Sequence, residues 1–186
     1  MPAHQTNLDS VALIAELVRR APNRPGRTAI MKFAYFLKTL REVPLRYRFG
    51  LYTYGPFDSD VLDDLRYAES LDAVESNFTQ YPGGSVYEYN KGPKIDEVTN
   101  FAEAFIAQHG ESIDWVLENF GNRSARDLEM ASTLVYVDRA TAGKGATQSI
   151  DELATKVRAI KPYLSIGAIE REAHDLKEKG LLTAVN

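Results

Sequence analysis

The chain predicts a mainly α-helical fold with a small antiparallel sheet: a winged helix-turn-helix N-terminal part followed by a helical C-terminal part. Three observations predict it. Apolar residues recur at helical spacing through most segments, and Ser/Thr-x-x-Asp/Glu pairs head several of them. Two strand-like runs, 73–80 and 85–91, flank Tyr81-Pro-Gly-Gly84, whose adjacent glycines tolerate the positive φ of a tight turn.

Residues 1–7 read as a loose tail. Leu8, Val11, Leu13, Ile14, Leu17 and Val18 give a first helix over 8–20, with Thr6-x-x-Asp9 as its capping candidate. Pro22-Asn-Arg-Pro-Gly26 breaks it. Ile30, Phe33, Ala34, Leu37 and Leu40 put one apolar face on a second helix, 27–40. Residues 47–52 alternate enough for a short strand, and Gly55-Pro56 reads as a turn. A third helix spans 58–71, capped by Asp58 or Ser59, with Val61, Leu62, Leu65, Ala68 and Leu71 as its buried stripe. Helix, helix, short strand, helix, hairpin is the order of a winged helix, with a three-stranded sheet.

The remainder is helical. Helices are expected over 95–108, ending near Gly110, and over 113–120, ending at Gly121. Ser124-x-x-Asp127 caps a helix to about Thr141, Ser149-x-x-Glu152 caps one to Lys161, and 165–179 closes at Gly180. The chain thus divides into 8–92 and 93–186, packed as one compact domain, with the junction near 92–96 and a second helix-turn-helix-like unit possible at the end. A weak echo links Pro56-Phe-Asp-Ser…Leu71-Asp-Ala-Val74 with Pro162-Tyr-Leu-Ser…Leu181-Leu-Thr-Ala-Val185. It fits either a duplication or two helices sharing start and stop signals.

Composition excludes several classes. There is no cysteine, hence no disulfide, thiolate metal site or cysteine nucleophile, which suits a reducing cytoplasm. No signal peptide or membrane span is expected. His4, His109 and His174 lack partners at ligand spacing. Thr141-Ala-Gly-Lys-Gly-Ala-Thr147 lacks phosphate-loop spacing, and Asp63 and Asp64 leave a helix in different directions, so they form no acid–base dyad. With no metal, cofactor or catalytic motif, the chain is expected to be non-enzymatic.

Charge reverses sharply along the chain. From residue 19 to 48 there are nine basic residues, opposed by Glu42 alone; from 57 to 76 there are seven acidic residues against Arg66. The basic run offers a candidate patch, Arg19, Arg20, Arg24, Arg27, Lys38 and Arg41. The acidic run offers a candidate partner-binding face, Asp60, Asp63 and Asp64. Phosphates repel a helix region of net −6 over 57–76, seven acids less one base, so the element placed for groove insertion carries the wrong sign for DNA. Pairing within the fold competes with both readings, because Arg41, Arg46 or Arg48 could meet Asp60, Asp63 or Asp64. Seven of ten tyrosines, at 47, 52, 54, 67, 81, 87 and 89, lie between 47 and 89. They pack half-buried sheets, or they anchor a binding surface.

Lys32-Phe-Ala-Tyr-Phe-Leu37, then Tyr47-Arg-Phe-Gly-Leu-Tyr-Thr-Tyr-Gly-Pro-Phe-Asp-Ser59, then Leu71-Asp-Ala-Val74 resembles the YwgA-like and Panacea (SocA-like) group of small bacterial, archaeal and phage proteins. Fainter likeness continues through 128–136 and 160–165. The shared positions are Lys32, Tyr35, Tyr54, Gly55, Pro56 and Ser59; Asp58 intervenes where the group often has Ser directly after the aromatic. The resemblance implies a winged-helix-like protein without a catalytic centre that binds a partner protein, as an antitoxin or proteolytic adaptor, the partner being a toxin or protease substrate. Protein binding is therefore the first expectation. A DNA-binding regulator using the basic N-terminal helices and hairpin wing is the alternative, and an enzyme of unrecognised type ranks third.

Overall fold

In the computed structural model, the backbone of residues 3–82 and 84–186 is described, with side chains from Leu8 onward. In chain order the elements begin with α1 (Ala3–Arg20), α2 (Arg27–Leu40), β1 (Gly50–Tyr52), β2 (Gly55–Phe57) and α3 (Ser59–Ser70). A ribbon follows, β3 (Val74–Tyr81) and β4 (Gly84–Lys91). The rest is α4 (Ile95–Asn100), α5 (Glu103–Phe120), α6 (Ala125–Ala142), α7 (Ile150–Ile160) and α8 (Ile166–Glu178). The protein is mainly helical, and its strands form two separate antiparallel pairs, β1–β2 and β3–β4.

Two compact units divide the chain. The first comprises Met1–Phe49 and Asp58–Arg123, the second Gly50–Phe57 and Ser124–Asn186. That division falls elsewhere than the 92–96 junction, and it assigns the β1–β2 hairpin to the unit of α6, α7 and α8.

In the first unit α1 is the central rod. Every residue from Ser10 to Val18 is buried, and α2, α3, α4, α5 and β4 pack around it. The apolar run 11–15 with Leu17 and Val18 suits a core position, and the buried Glu16 is met by Arg19 and Arg20. Phe36 of α2 stacks on Phe120 of α5 with ring centroids 4.0 Å apart. The ribbon pairs in full register from Val74↔Lys91 to Tyr81↔Gly84. Its base is buried through Val74 and Tyr89, and its far half is exposed.

In the second unit, α6 lies against β2, α7 and α8. Asp138, within α6 and wholly buried, accepts four hydrogen bonds. Thr183 donates from N and Oγ1 (2.7 and 3.0 Å), Ala184 from N (2.9 Å) and Arg139 from Nη1 (2.8 Å). A buried carboxylate needs such partners, and three of the four bonds here come from Thr183 and Ala184.

The helix starts follow local chemistry. Asp58 Oδ1 accepts from Asp60 N (3.0 Å), so Asp58 rather than Ser59 caps α3. Ser124, Ser149 and Ser165 cap α6, α7 and α8, and Ser149 with Glu152 completes a reciprocal capping box. Gly180 closes α8 at φ +69°.

Four expectations are corrected. Helix α1 already begins at Ala3, so 3–7 are helical backbone and Thr6 cannot be the cap. The side chains of Thr6 and His4, and Gly83 of the ribbon turn, lie outside the described residues. The break near Gly110 is absent: α5 runs through it, and helix ends at Asn100 instead. A glycine inside a helix costs only about 1 kcal/mol relative to alanine, which packing readily offsets. Finally, the sheet is two pairs rather than three strands, and Gly55-Pro56 forms β2, the turn lying at Thr53-Tyr54.

Candidate functional site

The acidic face on α3 is largely consumed within the first unit. Asp64, only 2% exposed, accepts from Arg46 Nη2 (2.5 Å) and from the Tyr47 hydroxyl (2.7 Å). Arg46 Nη1 reaches Asp60 Oδ2 at 2.7 Å, so one guanidinium serves two of the three aspartates. Asp63 points outward to Arg66 of its own helix. Burial raises the Asp64 carboxyl above its ordinary value against the opposing pull of Tyr47 and Arg46. Burial, then Asp64, drives the Tyr47 phenol far up, so its proton stays in place. Asp60, Asp63 and Asp64 therefore do not form a free anionic surface. The pairing of Arg46 with Asp60 and Asp64 is the arrangement the charge reversal allowed for.

The basic patch disperses in the same way. Arg19 and Arg20 both clasp Glu16, which is almost fully buried, at 2.5 Å, and extend to Asp96 (2.6 Å) and Asp114 (3.0 Å). Arg27 donates to the Tyr89 hydroxyl at 3.0 Å and lies 3.8 Å from the Tyr87 ring centre. Lys38 donates to the carbonyls of Leu45 and Tyr47. Arg41 sits over Trp115, and Arg24 is exposed. The ribbon between Glu75 and Glu88 holds no charged residue. Among the described residues, these six therefore do not gather into one free basic patch. A cleft of about 380 Å³ beside Glu16, Arg19 and Arg20 is rimmed by Glu103, Glu111 and Asp114, which repels anions.

The residues of the recurring motif divide between the units. In the first, Lys32 and Tyr35 are buried in α2, with Tyr35 edge-on to Phe49 at 5.2 Å, and Ser59 is the exposed first residue of α3. In the second, Leu51 pairs with Pro56 and Tyr52 with Gly55 across the hairpin. Gly55 has φ +91°, and a Cβ there would stand 3.0 Å from Thr133 Oγ1 and 3.3 Å from Ser132 Oγ. Glycine is required twice, by conformation and by the close approach of α6.

That hairpin presents aromatic side chains in a fixed frame. Tyr52 and Tyr54 are 63% and 66% exposed at its tip. Lys161, fully buried after α7, donates from Nζ to the Thr53 carbonyl between them. Tyr163, 52% exposed, donates its hydroxyl to Glu129 Oε2 at 2.8 Å, while Arg126 lies 5.9 Å from its ring and donates to its carbonyl. Burial and the Glu129 bond push the Tyr163 phenol up to about 12, with Tyr54 close enough to add to the shift. Three exposed tyrosines thus share one unit with a buried lysine that fixes the turn. Tyr163, Glu129 and Lys161 were not singled out from the sequence. The signal available was the Lys161-Pro-Tyr163 string, whose partners lie 34 and 108 residues away.

The other tyrosines separate into structural and exposed sets. Tyr47 and Tyr89 are core residues, while Tyr67, Tyr81 and Phe78 are exposed. Among the described residues, no cluster of three or more His, Cys, Asp or Glu is arranged to hold a metal ion. His109 lies inside α5, half-buried with its ring 4.6 Å from that of Phe105, and burial lowers its pKa. Among the described residues no helix is long and apolar enough to cross a membrane. No protein-family model matches the chain. No curated protein matches it either.

Proposed function

We propose that the protein is a non-enzymatic cytoplasmic regulator that acts by binding another protein, antitoxin-like or adaptor-like, with kinship to the YwgA-like and Panacea group and a winged-helix-like N-terminal part. The observation that carries this reading is the Tyr52, Tyr54 and Tyr163 surface. Tyrosines on a rigid frame lose little conformational entropy on binding, and aromatic residues dominate the centres of protein interfaces. Lys161 holds the hairpin turn, Glu129 and Arg126 hold Tyr163, and Gly55 seats the hairpin on α6. The order α1, α2, α3 and ribbon supports the winged-helix element of the proposal.

The acidic helix does not carry this reading, because Asp60 and Asp64 are engaged by Arg46 and Asp63 by Arg66. Duplex DNA does not gain from that loss, since the arginines that would meet phosphates are committed to carboxylates and rings. The partner class is accordingly a protein, a toxin or a protease substrate, with an apolar patch that accepts tyrosine.

Affinity capture from the native host tests this reading. Wild type should retain a stoichiometric companion that Tyr52→Ser with Tyr54→Ser releases and Asp63→Lys does not. A companion held equally by all three chains would refute the surface. Duplex binding with a steep salt slope would instead move the assignment to nucleic acid.

A further inference from the structure

We propose that the outer edge of β3 pairs with the same edge of a second copy of this chain, joining two ribbons into one four-stranded antiparallel sheet. In an antiparallel pair, residues alternate between those that bond across the ladder and those whose N–H and C=O point outward. Tyr89 sets the phase. Its N–H donates away from β3, to Pro25 O at 3.0 Å. Its cross-strand neighbour Ser76 therefore faces outward too, and so do Phe78 and Gln80, the neighbours of Tyr87 and Ser85.

The two edges of the ribbon differ. On the β4 side, Pro25 takes the Tyr89 N–H, and Gly26 lies so close that a Cβ would meet Tyr87 O at 3.0 Å. On the β3 side, among the described residues, no hydrogen bond reaches the outward groups of Ser76, Phe78 or Gln80. Those three residues present three donors and three acceptors in one line, which another extended backbone matches and a helix or a duplex does not.

A second copy fits because the edge is self-complementary. A two-fold axis through Phe78 sets Ser76 opposite Gln80 of the second copy and Phe78 opposite Phe78, so every outward group meets its complement. The one charge among residues 74–81, Glu75, falls opposite Tyr81 of the second copy, and no like charges meet. Natural edges are blunted by charge, proline or a bulge, and residues 76–81 contain no charge or proline. The ribbon's far half, exposed beyond the buried base at Val74 and Tyr89, gains two further strands in this pairing.

Sedimentation equilibrium on the full chain decides the matter. Wild type should show a reversible monomer–dimer equilibrium. Phe78→Pro should weaken the dimer by about tenfold or more, because proline removes an outward N–H while leaving the ladder to β4 intact. Phe78→Lys and Phe78→Glu should each be monomeric, and an equimolar mixture of the two should restore a heterodimer. The mixture decides alone if circular dichroism shows that Phe78→Pro has lost its fold. A wild type that stays monomeric up to its solubility limit overturns the proposal. So does a dimer indifferent to these changes, or a lysine–glutamate mixture that fails to pair.

Discussion

Asp63 and Asp64 are neighbours in sequence with opposite roles, and substituting each separates them. Asp64→Ala removes the acceptor of the buried Tyr47 hydroxyl, a charge-assisted bond worth about 1.5–3 kcal/mol. It also removes one of the two carboxylates on Arg46; that guanidinium is 30% exposed and keeps Asp60, so the further loss is about 0–1 kcal/mol. The sum is about 1.5–4 kcal/mol, or roughly 3–16 °C in melting temperature for a chain of this size. Asp63→Ala breaks only an exposed pair with Arg66 and should cost about 0–0.5 kcal/mol. Urea unfolding at neutral pH, followed by circular dichroism, measures both. If the two variants lie within about 0.5 kcal/mol of each other, the buried network is not what holds α3 to the 46–47 segment. The pH dependence has a definite sign. A carboxyl whose folded pKa is raised binds more protons folded than unfolded, so its contribution is complete below 3.8 and is lost as pH rises through the folded value. The advantage of wild type over Asp64→Asn should therefore be larger in mild acid than at neutrality.

Gly55→Ala forces a side chain into φ +91° and toward Thr133, and should destabilise the second unit by about 2 kcal/mol or more, measured by thermal unfolding. Tyr163 keeps its proton to about 12 in the fold but ionises at 10.0 when unfolded, so wild type should lose stability across that interval. In Tyr163→Phe the fall should be shallower, and identical alkaline profiles for the two chains would contradict the Glu129 contact. Ser149→Ala removes one side of the capping box on α7 and should cost about 1 kcal/mol in urea unfolding.

What was legible in the sequence is chiefly what local chemistry determines. Asp58, Ser124 and Ser149 cap their helices because each accepts a bond from an amide two or three residues on. The ribbon was legible in its glycine turn; that Asp63 and Asp64 diverge followed from helical phase, but the burial of Asp64, placed with Asp60 and Asp63 on one outer face, did not. The break between α4 and α5 was not, because Phe101-Ala102 contains neither glycine nor proline and Gly110 suggested a stop that packing overrides. The fate of the basic run was least legible. Arg19 finds Asp96 at a separation of 77 residues and Arg20 finds Asp114 at 94, distances over which charge order along a chain says nothing about neighbours. The candidate surface escaped for the same reason, since Tyr163 becomes visible only once Lys161 meets Thr53.

The demand that Asp138 makes on Thr183 and Ala184 bears on when the second unit can form. During synthesis its carboxylate must wait for donors translated 45 and 46 residues later, so α6 cannot settle while the ribosome still covers them. A nascent chain stalled before Thr183 and Ala184 emerge would leave the buried Asp138 carboxylate short of three hydrogen bonds and display an unfinished surface to chaperones and proteases.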